Sequence, residues 1–408
     1  KKDQLNAKNK KLRIAIVWEG YEAGGVDSYL SYLLNSWPVS DDITIFYNKE
    51  NLGITRLKSL IKIKNIDFVK IPTTIMFFDG KSTLSLVCKY INHLFIPIFF
   101  ICSIFKYRRI FKKYKFQVLV AQNGGYPGSY GVVSSIFGAH LAKIKMKSLV
   151  IHHRANNPIL GHKIFRSIIE RKLSSILSSV IAISNATKKT ILSSTNIFKL
   201  NPSNIIVIEN GVEVHKKEKD YSVERDNYKI GIIGRLDPHK GHDDFIIALS
   251  MLNKSLLKKI KVDFIGGYKE DDFLRISALI KEYSLEQVVT IRGYVEKNTI
   301  DIICELDLVA MVTKDFEGFG LTIAEALFAN VPVLATRVGI VPELFHENDP
   351  LIVDPEDIVA ISSAIEDFIT REDKLEFISK YTKNKLSLYN SVNMASRYRS
   401  HLIGTQDY

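Results

Sequence analysis

The sequence predicts an α/β protein built from two Rossmann-like, doubly wound parallel-sheet domains. Its 408 residues are too many for one ordinary domain of about 100 to 200 residues. Short apolar runs alternate with amphipathic helical patterns, and the alternation occurs twice along the chain. The charge is divided in the same way, because residues 1–200 carry 31 Lys and Arg against 10 Asp and Glu, whereas residues 201–408 carry 25 against 34. The two halves are therefore expected to form separate domains.

The predicted strands are short and apolar almost throughout, as is typical of strands buried on both faces of a parallel sheet. In the first half they lie at Arg13–Val17, Ile43–Tyr47, Gln117–Ala121, Ser148–Ile151 and Val180–Ile183. In the second half they lie at Lys229–Ile233, Val262–Ile265, Val288–Ile291, Leu308–Val312 and Val331–Ala335. Helical patterns between the latter strands cover Asp243–Leu257, Asp271–Tyr283 and Leu321–Ala329.

These patterns divide the chain into domains at residues 1–205 and 206–380. Residues 381–408 are expected to be a helical segment, with a return to the first domain left open. The boundary falls near Asn201–Glu209, and the polar stretch Lys216–Asn227 is interpreted as a surface insertion just after it.

Composition excludes several classes of protein. With 46% hydrophobic and 25% charged residues, the chain is neither disordered nor a polytopic membrane protein. Its cysteines (Cys88, Cys102 and Cys304) are too few and too scattered for a disulfide framework or a zinc cluster, and their odd number favours a reducing compartment. Residues 1–10 are polar and lead straight into a strand, so we expect no signal peptide and a cytoplasmic chain.

The basic first half is expected to attract an anionic partner: nucleic acid, an acidic membrane surface or a phosphorylated substrate. The alternative is that its cations only form a solvated surface. Nucleic acid is disfavoured, because the basic residues are not interleaved with a readout motif.

The apolar segment Leu84–Phe105 is interrupted by Lys89, His93 and Pro97, which argues against a membrane-spanning helix. Two interpretations remain: a helix packed on the sheet, or a helix lying in a bilayer interface. Both can hold, because a cluster of cations follows the apolar part and can face lipid while the apolar part is core. These cations are Lys106, Arg108, Arg109, Lys112, Lys113 and Lys115.

Glycines and cations follow the first strand of each predicted domain. After Arg13–Val17 comes a turn with Gly24 and Gly25, which suits approach of a phosphate or sugar to the backbone and equally suits a plain tight turn. After Lys229–Ile233 come Gly234, Arg235 and Lys240. Because ligands of open α/β sheets bind beyond the carboxyl ends of the strands, this arginine and lysine are expected to bind an anion, and together they suit a diphosphate.

A second loop, after Leu308–Val312, carries two carboxylates. Glu317 lies in the loop, and Glu325 lies one turn into a helix that begins near Leu321, so both are expected to face one cleft. The backbone amides between them are suited to phosphate, and the carboxylates to pairs of sugar hydroxyls. The alternative is two exposed glutamates at a helix cap.

The order of these motifs resembles the retaining glycosyltransferases of family 4, which have the GT-B fold, two Rossmann-like domains facing each other across a cleft. The resemblance runs from about Lys11 to about Phe345. The matching segments are Gly24-Gly25, Gly234-Arg235 with Lys240-Gly241, the pair Glu317 and Glu325, Asn330–Thr336, Gly339–Glu343, and in support Ile183–Thr187 and Asn210–Val212.

The resemblance implies a role for each matching residue. Arg235 and Lys240 would hold the donor diphosphate, Glu317 the donor sugar and Glu325 the ribose. The backbone amides of Phe319, Gly320 and Leu321 would bind phosphate and sugar, with Gly234 also at the donor, and the backbone of Tyr294 and Val295 would meet the base. The first domain would contribute Gly25 at the phosphates and a histidine near the donor sugar, for which spacing favours His153 over His152.

The sequence also departs from the family pattern at three positions. Arg154 replaces the acidic residue that usually follows the histidine, and Asn330 stands where glycine is common. Asn tolerates positive φ, so that change is expected to be harmless. Ile340 replaces the second glycine of a pair, which puts close backbone approach to the donor sugar in question.

What the resemblance implies as a whole is a retaining transferase that uses a nucleotide-diphosphate sugar of the UDP or GDP type. No D-x-D motif or His/Cys cluster indicates a metal, so no metal or other cofactor is expected. The expected acceptor is a glycan or lipid-linked glycan in surface polysaccharide assembly, with the enzyme peripheral on the inner face of a membrane and no nucleic acid bound. The alternatives are a nucleotide-sugar epimerase or hydrolase of the same fold and, less favoured, a nucleic-acid-binding protein.

Overall fold

The computed structural model describes residues 11–21, 24–72, 83–157, 163–195, 202–213, 219, 227–373, 376–377 and 389–404, with side chains from residue 95 onward in the helix that begins at 83. The chain forms two compact units, Lys1–Asn210 with Ser391–Tyr408, and Gly211–Asn390. The division after Asn210 lies five residues beyond the boundary expected from the sequence. The final helix is part of the first unit.

The described strands of the first unit form a seven-stranded parallel sheet in the order β3-β2-β1-β4-β5-β6-β7. They are β1 Arg13–Trp18, β2 Asp42–Asn48, β3 Ile66–Ile71, β4 Val118–Asn123, β5 Met146–Ile151, β6 Ser179–Ala182 and β7 Ile205–Val207. All five strands predicted in this half are confirmed. The edge strand β3 was not predicted, because its residues are only partly buried and its sequence, IDFVKI, includes two charges.

Helices connect these strands: α1 Gly25–Asn35, α2 Gly53–Leu60, α3 Thr83–Tyr114, α4 Tyr130–Leu141, α5 Lys163–Ile176 and α6 Asn185–Ser194. The long helix α3 contains the apolar segment and the cations that follow it. From residue 95 onward its buried side chains recur every three or four residues, as one face of a helix requires, and they are Ile96, Phe100, Ser103, Tyr107 and Phe111.

This buried face of α3 packs closely on α4 and on the sheet. At Gly138 of α4, a Cβ would lie 2.6 Å from the Cβ of Tyr107, so only glycine permits the approach. The ring of Phe111 meets Phe46 of β2 edge-on at 5.8 Å. The structure therefore shows α3 as a helix packed on the domain core. Among the described helices, none has both the length and the apolar character needed to cross a membrane.

Lys106 does not face outward with the other cations of α3. Its ammonium donates to the backbone carbonyl of Pro72 and lies near the carboxylate of Glu19. The expectation of six outward cations is therefore corrected at this residue. Of the rest, Arg109, Lys112, Lys113 and Lys115 are exposed and Arg108 is half-buried.

The C-terminal helix, Ser391–Gly404, is anchored in the first unit by a buried ion pair. Arg399 Nε lies 2.8 Å from Asp41 Oδ2, and both side chains are almost fully buried. Asp41 also accepts hydrogen bonds from the backbone amide of Leu12 and the indole of Trp37. One carboxylate thus links the start of β1, the end of α1 and the end of the chain.

We expect Arg399→Ala to lower the free energy of unfolding of the first unit by about 3 to 5 kcal/mol, because Asp41 would stay buried without its cation. Both tryptophans, Trp18 and Trp37, lie in this unit, so denaturation followed by tryptophan fluorescence measures it. The control is Arg397→Ala. Arg397 forms a partly exposed ion pair with Glu209, and loss of this pair should lower the free energy of unfolding by less than about 1 kcal/mol. Equal losses in the two variants would contradict the anchoring role.

The described strands of the second unit form a six-stranded parallel sheet in the order β10-β9-β8-β11-β12-β13. They are β8 Tyr228–Ile233, β9 Ile260–Ile265, β10 Val289–Gly293, β11 Leu308–Met311, β12 Val333–Thr336 and β13 Ile352–Val353. The strand order reverses direction between β8 and β11. In open α/β sheets, such a reversal opens a crevice at the carboxyl ends of the two strands.

The described helices of the second unit are α7 His242–Ser250, α8 Lys254–Leu257, α9 Glu270–Glu282, α10 Thr299–Ile303, α11 Leu321–Phe328, α12 Val341–Leu344 and α13 Ile358–Thr370. The single helix predicted over Asp243–Leu257 is wrong, because the Asn253 side chain accepts from the amides of Ser255 and Leu256 and starts a new helix. Most of the predicted insertion Lys216–Asn227 lies outside the described residues. Lys219, which is described, forms a buried ion pair with Asp307.

Candidate active site

The loop after β8 places one lysine and one arginine at the crevice. Asp237 accepts from the amide of His239 and caps a short 3-10 turn, Pro238–Lys240, which sets the position of Lys240. Arg235 lies earlier in the loop with its side chain about half exposed, 3.7 Å from the Asp237 carboxylate. The loop thus holds two cations at the carboxyl end of β8.

Gly241 brings this loop against the end of β11. Its φ is +72°, and a Cβ there would lie 2.0 Å from the carbonyl oxygen of Val312. The backbone amide of Lys314 donates to the carbonyl of His239, which joins the two loops a second time. The loops that follow β8 and β11 are therefore held in backbone contact.

Glu317, in the loop after β11, is fixed by its own backbone. The amide of Ile340 donates to the Glu317 carbonyl at 3.0 Å. Gly339, whose φ is +55°, lies so close that a Cβ would be 1.9 Å from the same oxygen. Gly339 and Ile340 thus hold the backbone of Glu317 in position. They lie where the sequence departs from the family's glycine pair.

Lys240 and Glu317 form an ion pair across the crevice. Lys240 Nζ lies 2.8 Å from Glu317 Oε2, although the residues are 77 positions apart in the chain. Glu317 is the more buried of the two side chains. The sequence predicted both residues as ligands of one donor, and the structure brings them together; it did not predict that they bind each other.

The helix α11 begins at this crevice with the segment Phe319, Gly320 and Leu321. Gly320 has φ +69° and precedes the first helical residue, so the amides of the first turn point out of the helix N-terminus. Phe319 is buried and meets the ring of Tyr389 at 5.7 Å. Glu325 is buried in α11, one turn in, as predicted from its spacing.

The remaining predicted residues of the second unit also lie at the carboxyl edge of its sheet. Tyr294 and Val295 follow β10, where Gly293 adopts φ +68°; Tyr294 is exposed and Val295 is half-buried. Gly234 directly follows β8, and its carbonyl oxygen lies so close to Gly266 that a Cβ on Gly266 would be 2.1 Å from it. All predicted donor residues of this unit thus follow the strands β8, β10 and β11 at one edge.

The histidines of the first unit differ in their surroundings. His152 follows β5, its Nε2 lies 2.7 Å from Gln122 Oε1, and its ring packs edge-on to Tyr29 at 4.5 Å. Burial lowers the pKa of His152 to about 3, so this imidazole is neutral at pH 7. His153 is exposed, as is Gly25 at the start of α1. His153 is therefore the more exposed of the two histidines.

Two features of the structure were missed from the sequence. Glu19, directly after β1, accepts from the hydroxyls of Tyr107 and Ser129, and burial raises its pKa. The sequence signal that could have identified Glu19 is an acidic residue directly after a buried strand. Lys314 binds Asp244 at 2.8 Å and Asp243 at 3.1 Å, which ties the start of α7 to the loop after β11.

No group of three or more His, Cys, Asp or Glu side chains in the described part of the chain has an arrangement that could hold a metal ion.

Comparisons with known proteins show which proteins the chain resembles. Residues 214–385 match the family model described as "Glycosyl transferases group 1". A Klebsiella pneumoniae protein described as "Uncharacterized 42.6 kDa protein in cps region" is 32% identical over 163 residues, which is 40% of each chain. The Staphylococcus aureus "Capsular polysaccharide biosynthesis glycosyltransferase CapM" is 25% identical over 281 residues, 65% of this chain and 72% of CapM. The first curated relatives are matched over only about two fifths of their own length.

Among solved structures, Anabaena Alr3699/HepE in complex with UDP and glucose superposes with a TM-score of 0.72. The superposition covers 96% of this chain and 99% of that one, at 17% sequence identity. Likeness at this identity defines the fold. The chain has the GT-B fold of two Rossmann-like domains, and its second unit is the part that matches the group 1 glycosyl transferases.

We expect Gly339→Ala to displace the Glu317 loop, because a Cβ at φ +55° cannot lie 1.9 Å from a carbonyl oxygen. The strain should cost about 1 to 3 kcal/mol and lower the melting transition of the second unit by several degrees in scanning calorimetry. The control is Gly267→Ala in the same unit, where a Cβ would meet nothing within 4 Å. If the two variants melt alike, Gly339 does not support Glu317.

Proposed function

We propose that the chain is a retaining glycosyltransferase that moves a sugar from a UDP- or GDP-type nucleotide-diphosphate sugar to a glycan or lipid-linked acceptor in surface polysaccharide or glycoconjugate biosynthesis. The observation that carries the proposal is the Lys240–Glu317 pair at the reversal of strand order, with Arg235 in the same loop. The family match over residues 214–385 supports sugar transfer, and the UDP and glucose bound to HepE support a donor of this type. The name of CapM supports the pathway class.

Leaving-group stabilisation is the chemical task of the two cations. Breaking the bond between the anomeric carbon and the diphosphate leaves negative charge on the nucleoside diphosphate, and preorganised cations and amides lower the energy of that state. Arg235 presents a planar fork to phosphate, and the first-turn amides of α11 add further donors. These groups supply the charge stabilisation from the protein itself, so we propose that the reaction needs no metal.

The ion pair also orients the donor sugar. A lysine ammonium has three donors, so Lys240 can keep its bond to Glu317 while it binds a phosphate oxygen. Glu317, held by Lys240 on one side and by the backbone at Gly339 and Ile340 on the other, is then placed to accept from sugar hydroxyls next to the diphosphate. Lys240 thereby couples binding of the diphosphate to the position of the sugar.

The other predicted residues have roles in the same proposal. Glu325 accepts from the ribose hydroxyls, and the backbone of Tyr294 and Val295 meets the base. For His153 and Gly25 we retain the roles that the sequence resemblance implies, which are contact with the donor sugar and with the phosphates. The first unit takes the acceptor, and attack of the acceptor hydroxyl from the face of the leaving group gives retention. We place the enzyme on the inner face of a membrane, where a lipid-linked acceptor is accessible.

The test is the rate at which nucleoside diphosphate is released from a panel of nucleotide sugars, with and without a glycan acceptor. Arg235→Ala and Lys240→Ala should each lower turnover about 10²-fold or more, as expected when one preorganised donor to a developing charge is lost. Lys258→Ala, an exposed cation in the same unit but away from the crevice, is the matched control and should keep normal turnover.

Near-normal turnover in both site variants would remove the diphosphate assignment. Release that is fast and unaffected by any acceptor, with the sugar hydrolysed or rearranged, would instead indicate the nucleotide-sugar hydrolase or epimerase alternative.

A further inference from the structure

The helix α3 has a second apolar face, which points to solvent. Phe95, Ile98, Ile101 and Phe105 are spaced three or four residues apart, so they form one stripe on the side opposite the buried residues. The adjacent helix α5 adds Ile164 and Ile168, one turn apart. These six side chains are between 41% and 79% exposed. We call them the α3/α5 stripe.

The two helices of the stripe are in direct contact. Phe100, on the inner face of α3, meets Phe165 of α5 at a ring distance of 5.8 Å. Phe165 is adjacent in sequence to Ile164, and Phe100 to Ile101, so the two sets of exposed side chains lie on neighbouring surfaces of the first unit. A monomeric protein rarely exposes several large apolar side chains on neighbouring helices without a partner for them.

The described exposed charges of α3 and α5 have one sign. Arg109, Lys112 and Lys113 are exposed beyond its α3 end, and Lys163, Arg171 and Lys172 are exposed on α5. Helix α3 contains no Asp or Glu. The one acid of α5, Glu170, is buried and pairs with Arg166 at 2.6 Å. Neither helix therefore presents a negative charge beside the apolar side chains.

This combination selects one kind of partner. A second copy of the chain would bring like charges together at the same face, which disfavours self-association. An anionic bilayer provides an apolar interior for Phe and Ile and phosphate groups for Lys and Arg at its surface. We propose that the α3/α5 stripe inserts into the interface of an anionic membrane while the flanking cations bind lipid phosphates. The inference rests on the membrane location in the proposed function and deepens it by naming the surface that binds the bilayer, and it assumes nothing about the sugar donor.

The surface also differs from the one expected from the sequence. The sequence left open a helix lying in the bilayer interface or a core helix whose cations face lipid. In the structure α3 buries one face and exposes the other, and Lys106 donates to the carbonyl of Pro72. Insertion of the apolar side chains of α3 and α5 into the bilayer supplies part of the free energy of membrane binding in this proposal. Binding should therefore depend on the isoleucines as well as on lipid charge.

The experiment is co-sedimentation of the full chain with vesicles of phosphatidylcholine alone or mixed with phosphatidylglycerol. Wild type should bind the mixed vesicles, more weakly as salt rises. The double variant Ile98→Glu/Ile168→Glu should bind at least about tenfold more weakly than wild type. Each substitution removes the favourable free energy of transferring an isoleucine side chain from water into the bilayer. Ile98→Leu/Ile168→Leu should bind like wild type. Val359→Glu, at a site 64% exposed in the second unit, is the matched control and should also bind like wild type.

A third variant separates charge from insertion. Arg109→Gln/Lys112→Gln/Lys113→Gln should bind mixed vesicles less tightly and with a weaker dependence on salt. All variants should keep the wild-type melting temperature, because the changed residues are exposed, and should keep wild-type donor hydrolysis. Failure of the membrane proposal is therefore distinct from failure of the proposed function.

Three results would overturn the proposal. Failure of wild type to bind vesicles at every salt concentration would rule out a lipid partner. Equal binding of vesicles by wild type and Ile98→Glu/Ile168→Glu would show that the α3/α5 stripe does not insert into the bilayer. Light scattering that shows a wild-type dimer and a monomeric Ile98→Glu/Ile168→Glu variant assigns the stripe to contact between copies instead.

Discussion

The close approach of two loops in the second unit is the constraint on which the site depends. Gly241 lies against the carbonyl of Val312, and Gly339 lies against the backbone of Glu317, at separations that leave no room for a side chain. Parallel strands β8 and β11 end side by side because the sheet reverses direction between them. Gly241 converts that adjacency into backbone contact between the loops after β8 and β11, and Gly339, in the loop after β12, supports the backbone of Glu317. Together these contacts place Lys240 Nζ 2.8 Å from Glu317 Oε2.

The sequence predicted most of what local patterns determine. Strands buried on both faces are continuous apolar runs, and all five in the first half were found. The edge strand β3 was missed, because a half-buried strand with charged residues does not give that pattern. The break at Asn253 was missed because the apolar periodicity continues across it while the Asn side chain starts a new helix.

The candidate site was predicted in its parts and not in its contacts. Glycines, cations and carboxylates after buried strands indicate the edge at which a ligand binds, and this applies to Arg235, Lys240 and Glu317. The ion pair between Lys240 and Glu317 depends on a contact over 77 residues, which no local pattern encodes. The same reason explains why Lys106 was expected to face outward, since its contacts with Pro72 and Glu19 come from distant segments.

Hydrogen–deuterium exchange with and without UDP is the most direct test of the central claim, that the paired loops form a nucleoside-diphosphate site. UDP should slow exchange of the backbone amides in residues 234–241 and 317–325 of the wild-type chain, because bound ligand lowers the population of open states. The same amides should be unaffected by UDP in Lys240→Ala. No slowing in either loop at saturating UDP, or slowing confined to the first unit, would contradict the account.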